Sequence, residues 1–108
     1  ATSLLSDVRS KTTPHSTQTF PTNQDNQDVV SMSANAAHNS LEIIRKTAQI
    51  TAILECTIAR ALQIKSDLKL PDHLQKWWDE RQNLLAFDFT SQNLSPVIEE
   101  RTRLIMDE

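Results

Sequence analysis

The stretch NSLEIIRKTAQITAILECTIARALQIKSDL, residues 39–68, decides the fold class. At 100° per residue, Ile43, Ile44, Ile50, Ile53, Leu54, Ile58, Ala61, Leu62, Ile64 and Leu68 fall within about half of a helical circumference. Glu42, Arg45, Gln49, Arg60, Gln63 and Asp67 gather opposite them. Asn39 followed by Glu42 has capping-box spacing, so a helix is expected to start at 39. Glu42 also stands three and four residues before Arg45 and Lys46, where helical neighbours meet. A helix over 39–68 would be about 45 Å long and would need its wide apolar half covered.

A narrower stripe of Leu41, Ala48, Ala52 and Ala59 runs beside the polar side. It would admit a close helical neighbour, but alanine is also the best helix former, and propensity is the simpler account. Repeats of seven join Ile43, Ile50 and Ile64, and Leu54, Ala61 and Leu68, and Thr47 and Thr57 interrupt them.

Downstream, Pro71 closes the first helix and fits the first turn of a second over 71–87. The tract from Phe87 to Asn93 reads as an extended loop. Ser95 before Pro96 starts a third helix over 96–107 that carries Val97, Ile98, Leu104 and Ile105.

Upstream the composition changes. Residues 1–28 hold only Ala1, Leu4, Leu5, Val8 and Phe20 as apolar side chains, while Ser, Thr, Asn and Gln supply 15 of the 28. Such a segment cannot offset its ordering entropy by itself, so it must be held by something outside it. From 41 to 108 the apolar count is 30 of 68, enough to form a core. The expected fold is therefore all-α: a long–short helical hairpin plus a C-terminal helix over 39–108, preceded by an extended polar N-terminal arm over 1–38. The arm either folds back on its own body or drapes over neighbouring subunits, anchored by Leu4, Leu5 and Phe20, and the second arrangement is the one expected.

The 108 residues carry a net charge of -3 and no glycine at all, where usage of ~7% would give about 8. A P-loop, a dinucleotide-binding glycine fingerprint and a glycine-based nucleophile elbow are thereby excluded. The mild acidity offers no footprint for nucleic acid. The charges within 41–64 rule out a membrane span there. Cys56, the one cysteine, cannot form an internal disulfide, and no signal-peptide pattern opens the chain, so synthesis in a reducing cytoplasm is expected.

Catalytic templates fail in turn. His15, His38 and His73 lie far apart in the chain without a second ligand at metal spacing. Cys56 falls on the polar side among Arg45, Gln49, Arg60 and Gln63 with no histidine in sequence reach. Asp79-Glu80 and Glu99-Glu100 diverge by 100° on a helix and read as solvated charge. No catalytic residue, cofactor site or metal site is expected.

Two arginines stand out. Arg81 lies in the middle of the apolar arc of Leu74, Trp77, Trp78, Leu84 and Leu85, four and three residues from the tryptophans and close enough to stack on either. Arg101 falls between Val97 and Leu104 on one side and Ile98 and Ile105 on the other. Either the arcs are core, with aliphatic stems running out to water, or they bind a partner, Trp and Arg being enriched at interface hot spots. A buried arginine needs a carboxylate, and Glu55 is the internal candidate.

The functional expectation is a non-enzymatic structural or assembly subunit of a large multi-subunit particle, a phage virion component being the favoured setting. Its partners would be other protein subunits or further copies of itself, bound through Trp77, Trp78, Arg81, Arg101, Leu4, Leu5 and Phe20. A proline-interrupted helical hairpin behind a polar arm is similar in architecture to the needle-type subunits of secretion machines, from which a third helix departs. The alternative is a small helical inhibitor or adaptor that uses the same Trp and Arg patch on one target.

Overall fold

Pro71 and Ser95-Pro96 act as the sequence reading expects. In a computed structural model describing residues 1–21, 24, 31–65, 67, 69–85 and 93–107, the carbonyl of Pro71 accepts from the amides of Leu74 and Gln75, both at 2.9 Å. The amide of Ser95 donates to Asn93 Oδ1 at 3.1 Å. These turns open helices α3 (Asp72–Leu85) and α4 (Ser95–Asp107), which follow α1 (Thr2–Ser10), a 3-10 turn (His15–Gln18) and the long α2 (Ser33–Ile64). The chain is all-α, with no strand among the described residues. No helix among them is long and apolar enough to cross a membrane.

The long helix begins at Ser33, six residues before the expected cap. Ser31 Oγ accepts from the Ser33 amide at 3.4 Å, and the Met32 carbonyl accepts from Ala36 at 3.0 Å. Asn39 therefore lies inside α2, and its side chain is free for a tertiary contact. Within the expected extended arm, residues 2–10 are helical and His15–Gln18 form a turn. The side chains of Leu84 and Leu85, the residue Leu68 and the loop tract Phe87–Gln92 lie outside the described residues.

Two compact units divide the chain, Ala1–Thr47 and Ala48–Glu108, and α2 passes from one into the other. In the second unit the buried positions of α2 are Ala48, Ala52, Cys56 and Ala59. Trp77 and Trp78 of α3 and Val97 and Ile98 of α4 pack on Cys56 and Ala59. The expectation for α2 is corrected here: the stripe of small residues is the inner face, while Leu54 and Ile64 stay 56% and 68% exposed. Small side chains let two neighbours bring indole rings and β-branched groups up to the helix backbone, a contact that isoleucines would hold apart.

Candidate functional site

In the second unit the side chains singled out by sequence converge on Cys56. Glu55, the next residue, receives both donor positions of Arg101: Nε donates to one carboxylate oxygen, and Nη2 to the other at 3.1 Å. Arg101 is 5% exposed, so this bidentate pair is withdrawn from solvent. Beside it, Thr102 Oγ1 donates to the Ile98 carbonyl at 2.6 Å, which satisfies a buried hydroxyl within α4.

Arg81 is half-buried with its guanidinium 5.5 Å from the Trp77 ring, a cation–π distance. Its Nη1 donates to Glu80 at 3.3 Å. Trp77 and Trp78 are half-buried against Cys56 and Ala59. Trp77, Trp78, Arg81 and Arg101 thus share one unit.

Cys56 is 4% exposed, contrary to its expected place among polar residues. The angle that sets it near Gln49 and Gln63 also sets it in line with Ala52 and Ala59, and the tryptophans close on that line. Burial, with the Glu55 carboxylate beside it, raises the thiol above its ordinary range, so it is not an activated nucleophile.

A cavity of about 260 Å³ lies along α4, lined by Pro96, Val97, Glu100, Arg101 and Leu104. Glu100 is held below the usual carboxylate range by Arg103, whose Nη2 donates to it at 2.6 Å. Apolar walls and paired charges suit packing better than proton transfer.

The first unit contains a set of contacts that sequence reading misses. Lys46 Nζ donates to Asp7, Lys11 Nζ stands 2.7 Å from Glu42, and Asn39 Nδ2 donates to His15 Nε2 at 2.9 Å. Asp7, Lys11 and His15 succeed one another at steps of four, and Lys46, Glu42 and Asn39 descend α2 opposite them. Opposite charges at matching steps on two segments are the signal that hydropathy ignores. Leu4 of α1 is half-buried, while Leu5 and Phe20 are 46% and 62% exposed.

Beyond this ladder His15, Ser16, Thr19, Ser31, Met32, Ser33 and Ala36 line a cavity of about 320 Å³. Hydroxyls and one imidazole there can hydrogen-bond a small polar molecule. Among the described residues no three His, Cys, Asp or Glu side chains come together as a metal site would require.

Comparison with known proteins bears on function directly. The model of the aromatic amino acid lyase family matches residues 1–83. The chain is similar to histidine ammonia-lyases of Legionella pneumophila strains Corby, Lens and Paris, each 29% identical over 107 residues. That alignment covers 99% of this chain and 21% of each relative, so the chain spans about a fifth of the length of the curated relatives it matches. No solved structure matches it.

These matches overturn the expectations of a non-enzymatic particle subunit, a virion component and a small inhibitor or adaptor, together with incorporation in a virion. They point to a lyase instead. Missing glycine motifs and metal clusters exclude particular sites in these residues; they do not exclude membership in an enzyme family whose curated relatives are five times longer.

Proposed function

The chain belongs to the aromatic amino acid lyase family, and from that premise we propose that it forms a helical part of an ammonia-lyase, an enzyme that releases ammonia from an amino acid. The family match over residues 1–83 carries this reading, because it spans both units rather than one short motif.

The pairing of charged groups among the described residues favours a supporting role for them. Such an elimination needs a base for a carbon-bound proton and an acid for the departing amine. Here Asp7, Glu42, Glu55 and Glu100 are each tied to a cation, and Cys56 is buried with its thiol raised. Groups held in pairs position helices. In this reading the reacting groups stand elsewhere in a lyase of the relatives' length, and its further helices cover Leu54, Ile58 and Ile64, which stay exposed on α2. The expectation of protein partners is thereby carried over as contact with lyase polypeptide.

A chimera tests the proposal. The matching 107-residue segment of a Legionella histidine ammonia-lyase is replaced by this chain, and ammonia release from histidine is followed. A chimera that folds to the parent's assembly mass and turns over supports the reading. One that reaches that mass and releases no ammonia overturns it.

A further inference from the structure

The buried pair of Glu55 and Arg101 joins two helices whose apolar faces do not by themselves say how far along α2 the helix α4 sits. The inner face of α2 is Ala48, Ala52, Cys56 and Ala59, side chains of one or two heavy atoms, so each step along it offers a hole much like the next. On α4 the apolar residues repeat at seven, Val97 with Leu104 and Ile98 with Ile105, and Ala52 and Ala59 of α2 are seven apart as well. Seven residues are about 10.5 Å of helix. Moved by that length in one direction, α4 would set Leu104 and Ile105 where Val97 and Ile98 now pack on Cys56 and Ala59. The charges do not repeat in this way. Seven residues from Glu55 stand Ala48 and Leu62, so a shift either way sets Arg101 against one of them.

We propose that the pair of Glu55 and Arg101 is a register lock, which selects one axial position of α4 on α2 among those that the apolar faces accept. The side chains of Arg101 and Glu55 are 5% and 13% exposed. In a shifted register each charge would be withdrawn from water without the other, a cost that apolar contacts alike in both registers cannot offset. The bidentate contact, Nε to one carboxylate oxygen and Nη2 to the other, also fixes the direction of approach. A polar residue at a single seam position sets the register of coiled coils by the same means. Glu100 and Arg103 pair with each other near solvent on α4 and put no constraint on its register.

Disulfide trapping in the full 108-residue chain tests the lock, with Cys56, its one cysteine, as the fixed point. A second cysteine is placed on α4 by Ile98→Cys or by Ile105→Cys, and the rate at which diamide cross-links the monomer is read on non-reducing gels. With the pair intact, Ile98→Cys is expected to cross-link about tenfold faster than Ile105→Cys, because Ile98 is the one that packs on Cys56 and Ala59. When Glu55→Leu and Arg101→Met remove both charges, the two rates are expected to come within about threefold of each other, with the emission of Trp77 and Trp78 kept. A preference for Ile98→Cys undiminished in the uncharged chain overturns the proposal, since apolar packing alone then holds the register. So does equal cross-linking with the pair intact. An uncharged chain that loses the parent's tryptophan emission overturns it too, since the pair then holds the fold together rather than choosing between registers.

Discussion

Between Ala1 and Thr47 no described residue is buried, and α1 is tied to α2 by two ion pairs and a hydrogen bond; between Ala48 and Glu108 six described residues are buried, and indole rings close on small side chains. Both units use charge, but differently. Asp7 and Lys46 meet near solvent, where pairing is screened and changes little in free energy. Glu55 and Arg101 meet out of solvent, where each is needed to make the other tolerable. A pair of the first kind adjusts a contact, and a pair of the second kind fixes one.

The largest effect expected from this contrast is at Glu55. Glu55→Gln leaves Arg101 buried opposite a neutral amide and is expected to destabilise the second unit by about 3–5 kcal/mol. Urea unfolding followed by tryptophan emission measures it, since both tryptophans of the chain lie in that unit. Glu55→Leu with Arg101→Met removes both charges and is expected to recover most of the loss. A double variant as unstable as the single one would mean that the pair contributes more than mutual neutralisation.

Next in size is the face of α2. Ala59, 0% exposed beneath the tryptophans, leaves no room for added methylenes, and Ala59→Leu is expected to cost about 1–3 kcal/mol in the same titration. Leu54→Gln, on the exposed side, is expected to stay within about 0.5 kcal/mol in this chain. Inside a full-length lyase, where that side is covered on the reading above, the same substitution would become a core change, so its effect in the chimera sharpens the comparison.

These two faces also show what the sequence could disclose. Helices α3 and α4 were legible from Pro71 and Ser95-Pro96, because proline constrains backbone within a residue or two of itself. The need of Arg101 for a carboxylate was legible too, since a charge centred on an apolar arc must be answered, and Glu55 was the residue in reach. The inner face of α2 was not. Periodicity ranks faces by hydropathy, whereas close packing here depends on smallness, and Ala48, Ala52 and Ala59 read equally well as plain helix formers.

In α1 the failure has another source. A segment with five apolar residues among its first 28 looks unable to fold, and its docking partners are charges whose match is visible only once two distant stretches are compared. The lyase family was not read from the sequence, because none of the motifs weighed there is specific to a reaction.

The smallest expected effect, and the most discriminating for the first unit, is that of pH on the contact of α1 with α2. The Lys46 ammonium holds Asp7 below its ordinary 3.8, chiefly through their hydrogen bond, with Lys11 adding to it. Lys11 likewise holds Glu42 below its ordinary 4.5, with His38 and Lys46 nearby. Carboxyls depressed in the docked state contribute docking that is present above those ordinary values and lost as pH falls through and below them. Lys11, raised above 10.5 chiefly by Glu42, contributes docking that is present below that value and lost as pH climbs past it. Methyl shifts of Leu4, Leu5 and Val8 should therefore be flat between about pH 5 and about pH 10 and move outside that window. A transition inside that window would instead mean that contacts other than the two ion pairs hold α1 against α2.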